Sequence, residues 1–256
     1  MSFTAIDIII LVALVVGSYL IGNINFAVII SKLKQRDVRK EGSGNPGTMN
    51  MIRNFGKAIG ALTLVVEILK GAIPALIGWL IMGGIGFGGT RLVGGVFIDA
   101  PPRLGIYVAG LSVMLGHVFP VFFKFKGGKG IATAIGVGLI AQPIITPLAF
   151  GIGMLFIHLT KIGALGSFTI ISIPLAVESF FLSAYMNTID PYYEAWGVGL
   201  ASIIIIFCMF SFTLFTHRKN IVKLFTGKEH RTLIWGKEAK AAKAEKKRLQ
   251  EKANSN

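Results

Sequence analysis

The chain has 256 residues, 53% of them hydrophobic and only 15% charged, with a mean hydropathy of +0.70. That balance excludes an ordinary soluble domain and places the protein among membrane chains. The formal net charge of +14 would suggest nucleic-acid binding in a soluble chain, but here 23 of the 26 lysines and arginines sit in four segments that separate long apolar blocks, the pattern of a positive-inside topology.

Taken in order, residues 6–31 form the first apolar block. It lacks the short apolar core and small-residue cleavage site of a signal peptide and is expected to be a retained first span, with Asn23 and Asn25 near its inner end. The basic segment 32–57 follows. A second span is expected over 58–82, a glycine-rich external loop over 83–103 that holds Arg91 and Arg103, and a third span over 104–123. Lys124, Lys126 and Lys129 return the chain to the basic side. Residues 131–160 must then leave and re-enter one face, because Lys129 and Lys161 both belong to basic segments. Thirty residues cannot supply two spans of about 20 residues each. Two short helices are expected instead, broken around Gln142, Pro143 and Pro147 and lining a cavity. Spans over 168–186 and 196–215 complete the set, joined by an external loop with Asp190, Pro191, Tyr192, Tyr193 and Glu194. The expected fold is an all-α polytopic membrane bundle of seven transmembrane segments, two of them short, with the N-terminus outside and the C-terminus cytoplasmic. Residues 1–236 form the membrane unit, and 237–256 a basic cytoplasmic tail whose Ala, Glu, Lys and Arg suit a solvated or headgroup-associated helix. No internal repeat of the transporter kind is present. The single cysteine, Cys208, excludes an intrachain disulfide.

Four polar patches fall on the basic side. In the first, Gly42-Ser43-Gly44-Asn45-Pro46-Gly47-Thr48-Met49-Asn50 leads to Arg53. Its three glycines allow positive φ and leave backbone N–H groups open to an anion, and a helix start beyond them adds the positive end of its dipole. A flexible turn would not need Ser, two Asn, Thr and Arg beside those glycines. The second, Lys124-Phe125-Lys126-Gly127-Gly128-Lys129-Gly130-Ile131-Ala132-Thr133, again sets glycines among lysines at a helix start, which suits a second phosphate. It is not a Walker A loop, since Ile131 stands where Ser or Thr is required. Lys161 to Ser167 and His217-Arg218-Lys219-Asn220 are the third and fourth. Ser167 could be an N-cap and the last patch a stop-transfer anchor; together the four suggest a composite anion site. Glu67 and Lys70 share one helical face, as a self-neutralising pair or as a cation near the anion site. His158 is read as a packed or interfacial histidine.

On these residues the chain resembles the bacterial acyl-phosphate:glycerol-3-phosphate acyltransferases. The likeness runs through Gly42 to Gly47, Asn50 and Arg53, Lys70-Gly71, Gly116-His117 with Pro120, Phe125 to Gly130 with Ala132-Thr133, and His217-Arg218, Asn220-Ile221 and Gly227 to Glu229. Thr48-Met49 stands where that family usually has Ala-Thr, Glu67 where Asp is usual, and Asn23 and Asn25 where Ser and Pro are; the external loop and the tail look like additions. The resemblance implies a multi-pass enzyme of the bacterial inner membrane, with a cytoplasmic-face active site. It would transfer an acyl group from acyl phosphate to the 1-hydroxyl of sn-glycerol 3-phosphate, giving lysophosphatidic acid and phosphate, the first step of phospholipid synthesis.

No cofactor, metal or nucleic acid is implied; membrane lipids and the enzyme that makes acyl phosphate are the implied partners. The matching positions make Ser43, Asn45, Asn50, Arg53, Lys129, His217 and Asn220 catalytic. Gly42, Ser43, Gly44, Gly47, Thr48, Lys126, Gly127, Gly128, Gly130 and Thr133 would hold acyl phosphate; Arg53, Lys129, Ser167, His217 and Asn220 would hold glycerol 3-phosphate. His117 is either a base or structural, and a substrate phosphate is the favoured proton acceptor. The other glycerol-3-phosphate acyltransferase class needs Asp five residues after His, but His117, His158, His217 and His230 are followed there by Phe122, Gly163, Val222 and Trp235. A transporter of a phosphorylated solute is the alternative of a different kind, although it would need polar groups on both faces.

Overall fold

The computed structural model describes residues 5–84, 90–93, 96–99, 103–188 and 193–227. Asp190, Pro191, Tyr192, Glu229 and the tail expected over 237–256 lie outside the described residues. The helices are α1 (Ala5–Asn23), α2 (Phe26–Leu33), α3 (Thr48–Phe55), α4 (Lys57–Gly84), α5 (Arg103–Val118), α6 (Ile131–Ala141), α7 (Ile145–Thr160), α8 (Gly163–Thr188) and α9 (Tyr193–Phe225). A small antiparallel hairpin, β1 (Thr90–Val93) with β2 (Val96–Asp99), sits within the glycine-rich connection, where the sequence suggests only a loop. All the other regular elements among the described residues are helices.

Among the described residues, five stretches are long and apolar enough to cross a membrane: Ala5–Leu33, Lys57–Met82, Arg103–Phe123, Gly163–Ala184 and Gly197–Phe225. Their outer faces carry bare apolar side chains; Phe180 and Phe207 are each 69% exposed. In water such a surface would drive association, whereas lipid is its natural solvent. The short pair expected between Lys129 and Lys161 is present as α6 and α7, of 11 and 16 residues, interrupted at Gln142 to Ile144. At 1.5 Å per residue they reach about 16 and 24 Å, short of a hydrocarbon core of about 30 Å. Pro147 falls in the first turn of α7, where its missing N–H costs nothing.

The first span is not one continuous helix. It breaks at Ile24 and Asn25, and both flanking asparagines hold the break. The Asn25 side chain accepts from Val28 N and caps α2. The Asn23 amide donates to Tyr19 O at 2.7 Å, and its oxygen accepts from Val121 N in the turn after α5.

Close helix crossings depend on glycine. A Cβ on Gly22 would lie 2.3 Å from Val113 O, and one on Gly116 2.1 Å from Tyr19 O, so α1 and α5 touch backbone to backbone. A Cβ on Gly71 would meet Thr133 O at 1.9 Å, and one on Gly136 Ile68 O at 2.0 Å, which brings α6 onto α4. Small residues give helices in lipid the van der Waals contact that apolar surface alone cannot, since lipid tails are equally apolar. At the end of α5 remote from His117, Arg103 Nη1 donates to both oxygens of buried Glu178 at 2.6 Å, and Gln142 donates to the same carboxylate, joining α5, α6 and α8. Arg103 therefore opens a helix and does not lie in the preceding loop.

Replacing Gly22 by Val is expected to destabilise the protein by about 1–3 kcal/mol through overpacking. Gly17→Ala, where an added Cβ meets nothing within 4 Å, should leave the protein as stable or slightly more so. Thermal unfolding in detergent micelles compares the two; equal midpoints would mean that the α1–α5 crossing tolerates a side chain.

Candidate active site

Between α2 and α4 the chain folds into a braced loop. Its entrance is a 3₁₀ turn, Val38–Lys40, capped by Asp37, whose carboxylate accepts from the backbone N–H of Arg39 at 3.0 Å and from the Arg39 guanidinium at 2.7 Å. The Arg39 hydrogen bond is the chief cause that holds the Asp37 carboxyl down at about 2, against the opposing effect of burial. Arg36 donates to Glu41, to Asn54 O at 3.1 Å, and stacks on Phe55 with its guanidinium carbon 4.4 Å from the ring centre.

Asn50, 2% exposed, is the clamp: its amide donates to Val38 O (3.1 Å) and Glu41 O (2.9 Å), and its oxygen accepts from Ser43 N at 3.2 Å. Gly42 has φ +56°, and a Cβ there would lie 2.4 Å from Asn50 Oδ1. These two residues shape the loop. From Gly47 the chain enters α3, whose last turn carries Arg53.

The second loop follows α5. Lys124 and Phe125 both take positive φ (56° and 57°), a sparsely populated region for bulky residues, and turn the chain back over the end of α5. Gly130, at φ +82°, starts α6. Gly128 N donates to His117 O at 3.3 Å, so the loop rests on His117.

The two loops face each other across one cavity of about 1160 Å³. Ser43, Gly44, Asn45, Gly47, Thr48, Asn50 and Arg53 line it from the first loop and α3; Lys126, Gly127, Gly128, Lys129 and Gly130 line it from the second. Ser167, His217 and Asn220 join them from α8 and α9. Lys129 Nζ donates to Asn220 Oδ1 at 2.5 Å, and Thr216 Oγ1 to Lys129 O at 3.3 Å, which ties the second loop to α9. The Nδ1 of His217 lies 3.1 Å from Thr213 O and donates to it, and its ring packs 5.3 Å from Phe168. Ser167 is one turn inside α8 and its hydroxyl donates back to Gly163 O at 2.9 Å, so it does not cap the helix. An apolar branch of the same cavity passes Leu64, Ile135, Phe150, Met154 and Ile170.

Gly42, Lys70 and Thr133 are not among the lining residues. Thr133 is fully buried and contacts Glu67 Oε2 at 3.4 Å. Lys70 and Glu67 form the buried pair at 2.5 Å, with His117 Nδ1 2.9 Å from each. Arg218 and Lys219 of the fourth patch also line the cavity, and Arg39, Lys57 and Lys223 join them although no place in the site was expected for them from the sequence. A signal for part of this set was present: Thr216, Asn220 and Lys223 recur at helical spacing once α9 is extended beyond Phe215, as it is to Phe225. Cys208 is exposed and not part of the lining. No cluster of three or more metal-ligating side chains occurs among the described residues.

Residues 12–227 match the protein family described as glycerol-3-phosphate acyltransferase. A glycerol-3-phosphate acyltransferase of Thermoanaerobacter pseudethanolicus is 36% identical over 213 residues, covering 83% of this chain and 90% of the relative. One from Aquifex aeolicus is 35% identical over 218 residues, covering 85% and 97%. Among solved structures, an integral membrane glycerol 3-phosphate acyltransferase, PlsY (YgiH), in its glycerol 3-phosphate form superposes with a TM-score of 0.67 at 32% identity, covering 88% of this chain and 96% of the other. Its lysophosphatidic acid form gives 0.66 at 31%.

Removing the Asn50 clamp takes one of two donors from each of the Val38 and Glu41 carbonyls, which keep the Glu41 and Gly44 backbone N–H groups, and the two lost hydrogen bonds cost about 1–3 kcal/mol; Asn50→Ala should show this in its unfolding midpoint. The Asp37 contribution follows from its lowered folded value: it is fully present above the ordinary 3.8 and disappears as pH falls through about 2. The stability difference between the native protein and Asp37→Asn should therefore narrow as acid is added below about pH 4. A difference that stays constant to the lowest pH would contradict the Arg39 pairing.

Proposed function

The chain belongs to the glycerol-3-phosphate acyltransferase family, and from that premise we propose that it transfers an acyl group from acyl phosphate to the 1-hydroxyl of sn-glycerol 3-phosphate in the bacterial inner membrane. The carrying observation is the single cavity that unites two glycine loops and the cations Arg53 and Lys129 with an apolar branch at Leu64, Phe150 and Met154. A ligand with a phosphate at one end and a hydrocarbon chain at the other has the chemistry of that lining. Backbone N–H groups of loop 42–47 and of loop 126–130, together with the start of α6, suit the acyl phosphate. Arg53, Lys129, Ser167, His217 and Asn220 hold glycerol 3-phosphate, with Ser43, Asn45 and Asn50 keeping the first loop in place.

An acyl phosphate is already an activated mixed anhydride. The protein has to bring two anions together against their repulsion, set the hydroxyl oxygen about 3–3.5 Å from the carbonyl carbon, and stabilise the oxyanion that forms. The hydroxyl oxygen bonds to the carbonyl carbon, the carbon–oxygen bond to phosphate breaks, and the hydroxyl proton passes to a phosphate oxygen of the substrate. Lysophosphatidic acid and inorganic phosphate result, with no acyl-enzyme. His117 borders the cavity, and the engagement of its ring supports this proton route: Nδ1 faces Glu67 and Lys70, and Nε2 lies against the Gly128 backbone position.

The basic loops set the orientation. Seven segments, counting α6 and α7 as a re-entering pair, put the N-terminus outside and both glycine loops at the cytoplasmic face.

Purified protein given acyl phosphate and glycerol 3-phosphate should release lysophosphatidic acid. Absence of that product would refute the proposal, and solute flux without turnover would favour a transporter. Arg53→Ala and Lys129→Ala should each lower kcat/KM by about 100-fold or more, as loss of a charged contact to a phosphate predicts. General bases contribute about 10²–10⁴-fold. A loss of that size in His117→Gln with unaltered glycerol 3-phosphate binding would make the histidine, and not the substrate, the proton acceptor.

A further inference from the structure

Glu67, Lys70 and His117 are 2%, 4% and 4% exposed, and together they touch both sides of the site from beneath. Lys70 Nζ lies 2.5 Å from Glu67 Oε2 and 2.9 Å from His117 Nδ1, and donates to Ile24 O, also at 2.9 Å. Ile24 stands in the break that starts α2, the helix from which the first glycine loop descends. His117 carries the second loop. A Cβ on Gly127 would lie 2.0 Å from His117 O, and one on Gly128 2.2 Å from His117 Nε2. That same point at Gly128 is 3.2 Å from Pro46 O of the first loop. The ring, the second loop and the first loop thus meet where residue 128 has no side chain.

We propose that Glu67, Lys70 and His117 form a positioning network that fixes the two glycine loops relative to each other, and thereby governs affinity for acyl phosphate. With Nδ1 held by the ion pair, the ring edge at Nε2 is fixed in height, and the loop over it is fixed as well. The same ammonium anchors the α1–α2 break on the other side. Glu67 and His117 border the cavity at its floor while Lys70 lies outside its lining, and the role assigned to the three is to hold the loops and not to contact the reacting atoms. This inference rests on the acyl-phosphate reading of the site.

Removing Lys70 alone would leave a buried carboxylate unpaired and risk the fold, whereas neutralising both partners is often tolerated. The test therefore uses the double variant Glu67→Gln/Lys70→Met, with Gly128→Ala as a second perturbation from the loop side and Glu67→Asp as the conservative control. The expected result for the double variant and for Gly128→Ala is a KM for acyl phosphate raised by about tenfold to a hundredfold, the effect of a small misplacement of binding groups. The KM for glycerol 3-phosphate should move much less, and Glu67→Asp should keep most of the affinity that the double variant loses. Combining Gly128→Ala with the double variant should give less than the product of the separate effects, since both act on one loop. An unchanged KM for acyl phosphate, equal rises in both KM values, or full additivity would overturn the network while leaving the reaction standing. No turnover by the unaltered protein would overturn the reaction and this inference with it.

Discussion

A single buried ammonium, that of Lys70, connects the parts of this molecule that have to agree with one another. It reaches the carbonyl at the break in the first span, the carboxylate one turn earlier on its own helix and the imidazole at the end of α5. A charge at such depth is costly unless paired and hydrogen-bonded, so the break at Ile24 and the position of His117 are set jointly with it. A second contact holds the same two elements: the Asn23 oxygen accepts from Val121 N in the turn that leads to loop 126–130. Both glycine loops therefore hang from one polar junction.

The rest of the architecture separates two kinds of surface. Outward-facing phenylalanine, leucine and isoleucine suit lipid, and helices approach one another through glycine, where backbone contact replaces a hydrophobic drive that lipid does not supply. Polar groups collect at one end of the helices, where α3, the two loops and the extension of α9 close a cavity. The apolar branch of that cavity continues between α4, α6, α7 and α8. A different polar junction, Arg103 with Glu178 and Gln142, closes the far end of the same group of helices.

Most of the polar residues that line the cavity could be picked out from the sequence. Glycines among lysines, and Ser, Asn, Thr and Arg beside glycines, suit anion-binding backbone, because that chemistry is carried by local geometry. The interruption between α6 and α7 was equally legible from Gln142, Pro143 and Pro147. Other features were not. Asn50 reads as a ligand in the sequence, and the structure adds a second role while it lines the cavity: its side chain satisfies two carbonyls of the first loop, which residue type alone does not reveal. The break at Ile24 was hidden because its cause is distant: an asparagine cap that needs the chain to bend, and a lysine 46 residues away.

By itself, the amino-acid sequence determined the membrane class, the order and approximate extent of the apolar helices, and the basic side on which the polar segments lie. Those follow from residue solvation and helix length, which act locally. Which polar side chains meet was decided only by the tertiary structure, because it depends on glycine-mediated crossings between segments far apart in the chain. That is why Lys70 belongs beneath the site with Glu67 and His117, while Lys129 pairs with Asn220 across the cavity.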